Sequence, residues 1–98
     1  MFVGDFNTGA HRLDEAGKTF ACAAQFAQLS SSGWTDAWRL YHPRTTEWTW
    51  YSTKGNGFRL DHAFAFPSLL PCVLSCRYSH TEREAKVSNH SILITDVE

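Results

Sequence analysis

Gly57-Phe58-Arg59-Leu60-Asp61-His62-Ala63-Phe64-Ala65, preceded by Lys54-Gly55-Asn56 and followed by Phe66-Pro67, is the stretch that decides how this sequence folds. Lys54 to Gly57 combines glycine and asparagine, the residues that accept the backbone angles of a tight turn. Phe58 to Ala65 then reads as a strand: at a period of two, Leu60, His62 and Phe64 share one face and Arg59, Asp61 and Ala63 the other. Pro67, which has no N–H to give to a ladder, stops it. On the other side of the turn, Glu47 to Ser52 is aromatic and threonine-rich, and makes the first strand of a hairpin-like pair.

Working outward, Met1 to Gly4 is a short apolar run that reads as a buried strand entering the polar loop Asp5-Phe6-Asn7-Thr8-Gly9. Lys18 to about Ser31 is rich in alanine and glutamine, with Phe20, Ala23, Ala24 and Ala27, and Phe26 and Leu29, at helical spacings before Ser32-Gly33 closes it. Trp34, Ala37, Trp38 and Tyr41 suit a second short helical turn, stopped by Pro43. Leu69 to Cys72 reads as a linker around Pro71, Val73 to Tyr78 as a strand, Ser79 to Ser88 as a polar loop and Ser91 to Val97 as a last strand. The order implies an α/β chain with a mostly antiparallel sheet and one main helix.

Composition limits the function classes. At 98 residues the chain is one domain or part of one, and with 43% hydrophobic and 19% charged residues it is neither disordered nor a coiled coil. Nine basic side chains against ten acidic ones leave no overall basic footprint for nonspecific nucleic-acid binding. The three cysteines, Cys22, Cys72 and Cys76, lack the second close pair of a zinc site and read as reduced thiols. The first residues have neither the basic nor the apolar segment of an export signal, and no apolar run nears the roughly 18 residues of a membrane helix. The expectation is a cytoplasmic chain without a membrane segment.

Polar residues gather at strand ends: Asp5 with Asn7, Arg59 with Asp61, His80, and Asn89 with His90. Loops beyond strand ends are where side chains from distant segments converge. An acid and an amide two residues apart can hold a hard cation and orient a phosphoryl oxygen. A carboxylate on a histidine fixes its tautomer and stabilises its protonated form. Read alone, Asp5 and Asn7 would be turn residues; Trp34, Trp38 and Trp48 read as packing, His11, His42 and His80 as loop residues, and His62 as facing the sheet.

Three of these segments resemble, in order, the signatures of the endonuclease/exonuclease/phosphatase superfamily. Gly4-Asp5-Phe6-Asn7 is similar to its GDFN or GDLN signature, Gly57 to Asp61 to its G-x-R-[IL]-D segment, and Ser88-Asn89-His90 to its terminal S-D-H. The match runs from Gly4 to about Val97, and Trp34 to Arg39, His42-Pro43 and Trp48-Thr49-Trp50 look most like the exonuclease III branch. The resemblance implies a four-layer α/β sandwich and cleavage of phosphate esters, typically in DNA, dependent on Mg²⁺ or Mn²⁺. Asp5 would orient or deprotonate the attacking water, Asn7 would hold the phosphate and its developing charge, and Asp61 would orient His90, which would bind a phosphate oxygen or assist proton transfer. Trp50, Phe58 and Leu60 fall near positions that line a sugar pocket in the family's repair nucleases.

Two departures follow from the same comparison. Asn89 stands where the family has a metal-site aspartate, so a metal there would meet an amide oxygen and one negative charge fewer. The family's metal-binding glutamate and its first catalytic asparagine belong to a segment ahead of GDFN. Residues 1–98 therefore correspond to the C-terminal half of the domain, expected to be weak or inactive alone and to need the N-terminal half or a second copy to complete its sheet. The alternatives are a non-catalytic remnant or assembly subunit, and a phosphoesterase of another substrate class in the superfamily.

Overall fold

The computed structural model describes residues 1–10, 13–15, 20 and 22–98. Strand β5 (Asp61–Ala65) is the middle of a three-stranded sheet, flanked by β1 (Phe2–Asp5) and β2 (Thr35–Asp36). Both pairings are antiparallel, with Phe2 opposite Phe64, Asp5 opposite Asp61, and Thr35 opposite Ala65. Two hairpins complete the sheets: β3 (Trp50–Tyr51) on β4 (Gly57–Phe58), and β6 (Val73–Ser79) on β7 (Ile92–Val97). The helices are α1 (Ala23–Ser31), the five-residue α2 (Ala37–Tyr41) and the single turn α3 (Thr81–Glu84). This is the mixed α/β, antiparallel arrangement that the sequence implies.

All five residues of β5 are buried, because both of its faces are covered. Ala63 and Ala65 pack with Ala37 and Trp38 of α2 and with Val73 and Cys76 of β6, and Leu69, Leu70, Tyr78 and Leu93 close over them. On the opposite face the Phe64 ring meets Phe6 and Phe26 at 5.6 and 5.3 Å, and Phe26 meets His62 at 4.6 Å. A strand covered on two sides carries apolar or internally paired residues at every position, which is how β5 reads.

Helix α1 presents Phe26 to this core, and its last turn closes with the Ser32 N–H on the Gln28 carbonyl at 2.9 Å, followed by Gly33 at a φ of 96°. Lys18, Thr19 and Ala21 of the helix expected from the sequence, and His11, lie outside the described residues. Helix α2 starts at Asp36, whose carboxylate accepts the Arg39 N–H at 3.1 Å as an N-cap.

Four expectations change. Strand β1 exists but is not buried: Phe2 and Val3 are 55% and 54% exposed. Among the described residues it pairs with β5 alone, and the Phe2 ring lies against Trp34 at 4.7 Å. The strand expected from Phe58 to Ala65 is broken at Arg59 and Leu60, whose amides turn away to the Asp14 carbonyl at 2.8 Å and the Thr49 hydroxyl at 2.9 Å. Within the polar segment 79–88, Thr81 to Glu84 forms α3, and Leu70 to Cys72 forms a 3₁₀ turn in place of a plain linker.

The break lets Arg59 turn inward. Its side chain is 1% exposed and grips Asp14 with two hydrogen bonds, Nε to Oδ1 at 2.6 Å and Nη2 to Oδ2 at 3.0 Å. It also donates to Asp36 Oδ2 at 2.5 Å and to the Tyr78 hydroxyl at 3.2 Å. Its guanidinium lies 4.7 Å from the centre of the fully buried Trp38 ring. Burial by itself would raise the Asp14 carboxyl, but Arg59 outweighs it and holds Asp14 below the usual carboxylate range. The ion cluster ties the loop before α1, the cap of α2 and strand β6 to the entrance of β5.

Candidate active site

Asp5 and Asp61 are paired across β1 and β5, at the end of the sheet where β5 begins. His90, just before β7, reaches this end from the β6–β7 hairpin. Its Nδ1 is 2.8 Å from Asp61 Oδ2, and its Nε2 is 3.8 Å from Asp5 Oδ2. A carboxylate only accepts, so the proton sits on Nδ1 and Nε2 is turned toward Asp5. The 3.8 Å gap is too long for a direct hydrogen bond and suits an oxygen shared between the two groups.

Asp5 is itself held. The Asn7 N–H donates to Asp5 Oδ1 at 2.9 Å, which leaves Oδ2 for the His90 side. Asn7 has a φ of 54°, a left-handed angle that asparagine accepts better than most residues. With its carboxamide nitrogen toward Asp5, the side chain also lies 3.3 Å from both carboxylate oxygens. The loop continues to Thr8, whose carbonyl accepts from His62 Nε2 at 2.6 Å, so the far face of β5 anchors it. Burial, and then the nearby Arg59 charge, depress the His62 pKa and keep its ring neutral.

Trp50 and Phe58 stand beside this group, their rings 5.8 Å apart and Trp50 6.5 Å from His90. Leu60 is buried beneath, and its carbonyl accepts the Phe6 N–H at 2.9 Å. Asn89 is exposed and lines a cavity of about 300 Å³ with Tyr51, Arg83, Lys86 and Ser88. The structure thus brings Asp5, Asn7, Asp61 and His90 together, with Trp50 and Phe58 beside them and Asn89 on the adjoining cavity.

Sequence reasoning missed a second set of side chains behind His90. His80 Nε2 lies 2.5 Å from Glu47 Oε2, and its Nδ1 2.6 Å from the hydroxyl of Ser91. Arg83 Nε donates to the same hydroxyl at 2.9 Å, while the Ser91 N–H donates to the Thr49 carbonyl at 2.7 Å. His80, read as a loop residue, therefore fastens the residue next to His90 to α3 and to the β3 approach. A histidine and an arginine three residues apart, a helical spacing, were the available signal.

One more cluster, Asp14, Asp36 and His62, has metal-like spacing, but the Arg59 guanidinium already fills it. Cys22, Cys72 and Cys76 are free thiols, and no helix among the described residues is long and apolar enough to cross a membrane.

No protein-family model matches the chain. Among solved structures it is similar to NExo, a 3′ phosphatase from Neisseria, determined as an aspartate-to-asparagine variant bound to a product DNA hairpin. The two share a TM-score of 0.82 and 23% identity over 98% of this chain and 44% of that one. The likeness is one of fold. This chain spans less than half the length of the structure it matches.

Proposed function

We propose that the chain supplies part of the active site of a nuclease-like phosphoester hydrolase acting on DNA, and corresponds to the C-terminal half of its domain. The observation that carries the reading is His90, held by Asp61 on one nitrogen and facing Asp5 with the other. In this reading Asp61 fixes the His90 tautomer, so that Nε2 holds or moves a proton at the phosphate oxygen. Asp5, steadied by Asn7, orients the attacking water and takes its proton, and the Asn7 carboxamide would hold the phosphate. Trp50 and Phe58 pack the sugar and exclude water, with Leu60 beneath them.

The donor set suits a hard divalent cation, since ligand atoms of Asp5, Asp61 and His90 lie within 4.8 Å of one another and two are carboxylates. Mg²⁺ or Mn²⁺ would be held chiefly by Asp5 and would polarise the phosphoryl oxygen. Asn89 is the weaker candidate ligand, because Arg83 and Lys86 line the same pocket and repel a cation. The test is phosphate release from a 3′-phosphorylated DNA duplex with Mg²⁺ or Mn²⁺ at high protein concentration. A slow metal-dependent rate should fall by about 100-fold or more in Asp5→Asn and in His90→Gln. A rate indifferent to the metal or to both substitutions refutes the proposal.

A structural observation also supports an assembly. Phe2, Trp34 and Phe66 form an aromatic row along β1 and β2, with Phe2 to Trp34 at 4.7 Å and Trp34 to Phe66 at 4.0 Å, and Phe2 and Phe66 are exposed. Such a row beside a strand that, among the described residues, is paired on one side suits further strands, from the rest of a longer protein or a second copy. Sedimentation that finds only monomer from micromolar to millimolar concentration, with Phe2→Lys unchanged in stability, would exclude the second copy.

A further inference from the structure

We infer that the pocket lined by Tyr51, Arg83, Lys86, Ser88 and Asn89 is a second phosphate site, which takes the backbone phosphate next to the one engaged at His90. The inference rests on the nucleic-acid reading above and extends it to a place that reading does not use. The pocket holds about 300 Å³, room for a phosphate group and part of its sugar. Its lining has two cations and no carboxylate, in a chain whose total charge is -1. Glu82 and Glu84 flank Arg83 in α3 but do not line the pocket, so its wall presents the two cations to an anion.

The two cations are prepared in different ways. Arg83 is anchored by Nε on the Ser91 hydroxyl, and its guanidinium lies 4.8 Å from the centre of the Tyr51 ring. Among the described residues neither of its terminal nitrogens has a hydrogen-bond partner, so a fixed pair of donors remains for an acceptor with several oxygens. Lys86 has a φ of 61°, in the left-handed turn that ends α3, where the Val87 N–H closes on the Glu82 carbonyl at 2.9 Å. Glycine is the residue such a turn favours. A lysine at that angle bears a backbone cost, and no ion pair among the described residues offsets it. The charge at the pocket rim is the compensation the geometry points to.

The pocket is coupled to the candidate site by its loop. The Ser88 hydroxyl accepts the His90 N–H at 3.1 Å, and Asn89 stands between the two. A strand whose phosphate lies at His90 would continue over Asn89 toward Arg83, with Tyr51 offering a ring face for a base or sugar.

The test is fluorescence anisotropy of a labelled DNA duplex with the whole chain, in chelator, across a salt series. Without metal there is no turnover, so binding is read apart from hydrolysis, and failure of the hydrolase reading leaves this measurement intact. Lys86→Gly and Arg83→Gln should each weaken binding about 2- to 5-fold and reduce the salt slope by about one unit, as expected when one phosphate contact is lost. Lys86→Arg should keep both. Lys86→Gly relieves the left-handed angle, so its melting temperature should be unchanged or higher, which separates lost binding from lost fold. Inorganic phosphate at matched ionic strength should displace the duplex from the wild-type chain more than from either charge-removing variant, and equal displacement in all three overturns the site. Absence of binding by the wild-type chain, or equal affinity and slope in both charge-removing variants, overturns the inference.

Discussion

Replacing Arg59 with alanine should unfold this protein or nearly so. The substitution leaves Asp14, with a fully buried side chain, and Asp36, 13% exposed, without their main counter-charge. Removing one partner of a buried ion pair costs about 3–5 kcal/mol, because the remaining charge stays out of water. The cation over Trp38 adds about 1–2 kcal/mol in a desolvated setting. A domain of this size has a total stability of roughly 5–15 kcal/mol, so the loss reaches a third to all of it. The order of effects is as informative as their size. Asp14→Asn should cost about 3 kcal/mol or more, whereas Asp36→Asn should cost less, since Asp36 is partly solvated and asparagine still caps α2. Urea unfolding followed by tryptophan fluorescence reads all three directly, with Trp38 packed against the cluster. A cost below about 1 kcal/mol for Arg59→Ala, in the range of an exposed pair, would refute the view that this cluster holds β5 in place.

Gly57→Ala would put a methyl carbon 2.3 Å from the Trp48 indole, so the β3–β4 hairpin should lose about 1–3 kcal/mol, read as a lower urea midpoint. Ser91→Ala removes the hydroxyl shared by His80 and Arg83 and should cost about 1–2 kcal/mol, with faster amide exchange around His90 as the local sign. Stability should be greatest above pH 6.5 and decline as the pH falls below it, because the unfolded chain takes up a proton at His62 that the folded chain resists. Asp14 adds a further loss below about pH 3.8, where its unfolded carboxyl is protonated before the folded one. Urea midpoints across that range check both, and a midpoint that rises on acidification would contradict the sign.

The elements read most directly from the sequence are those whose signals are local. The turn at Lys54 to Gly57, the alternation of His62 and Phe64 against Asp61 and Ala63, and the strands from Val73 and Ser91 need only neighbouring residues. The candidate site was readable for the same reason, since Asp5 with Asn7, Asp61, and His90 each sit in a short motif. Arg59 shows where such reading stops. Its strand position marks it as inward or outward, but Asp14 and Asp36 lie 45 and 23 residues away, and nothing local says that they meet it. His80, Glu47 and Ser91 are similarly dispersed, and β1 looked buried because four apolar residues do not reveal whether a neighbour covers them.

The sequence by itself determined the kinds of element, their order and the identity of the polar groups at the strand ends, because hydrophobic period and turn chemistry act over a few residues. Only the tertiary structure decided which of those groups share a charge environment. It brought Asp5 on the three-stranded sheet to His90 beside the β6–β7 hairpin, drew Arg59 out of its strand onto Asp14 and Asp36, and gathered Arg83 and Lys86 around a pocket within a nearly neutral chain. Coulombic interaction depends on distance and burial, and both are properties of the folded chain.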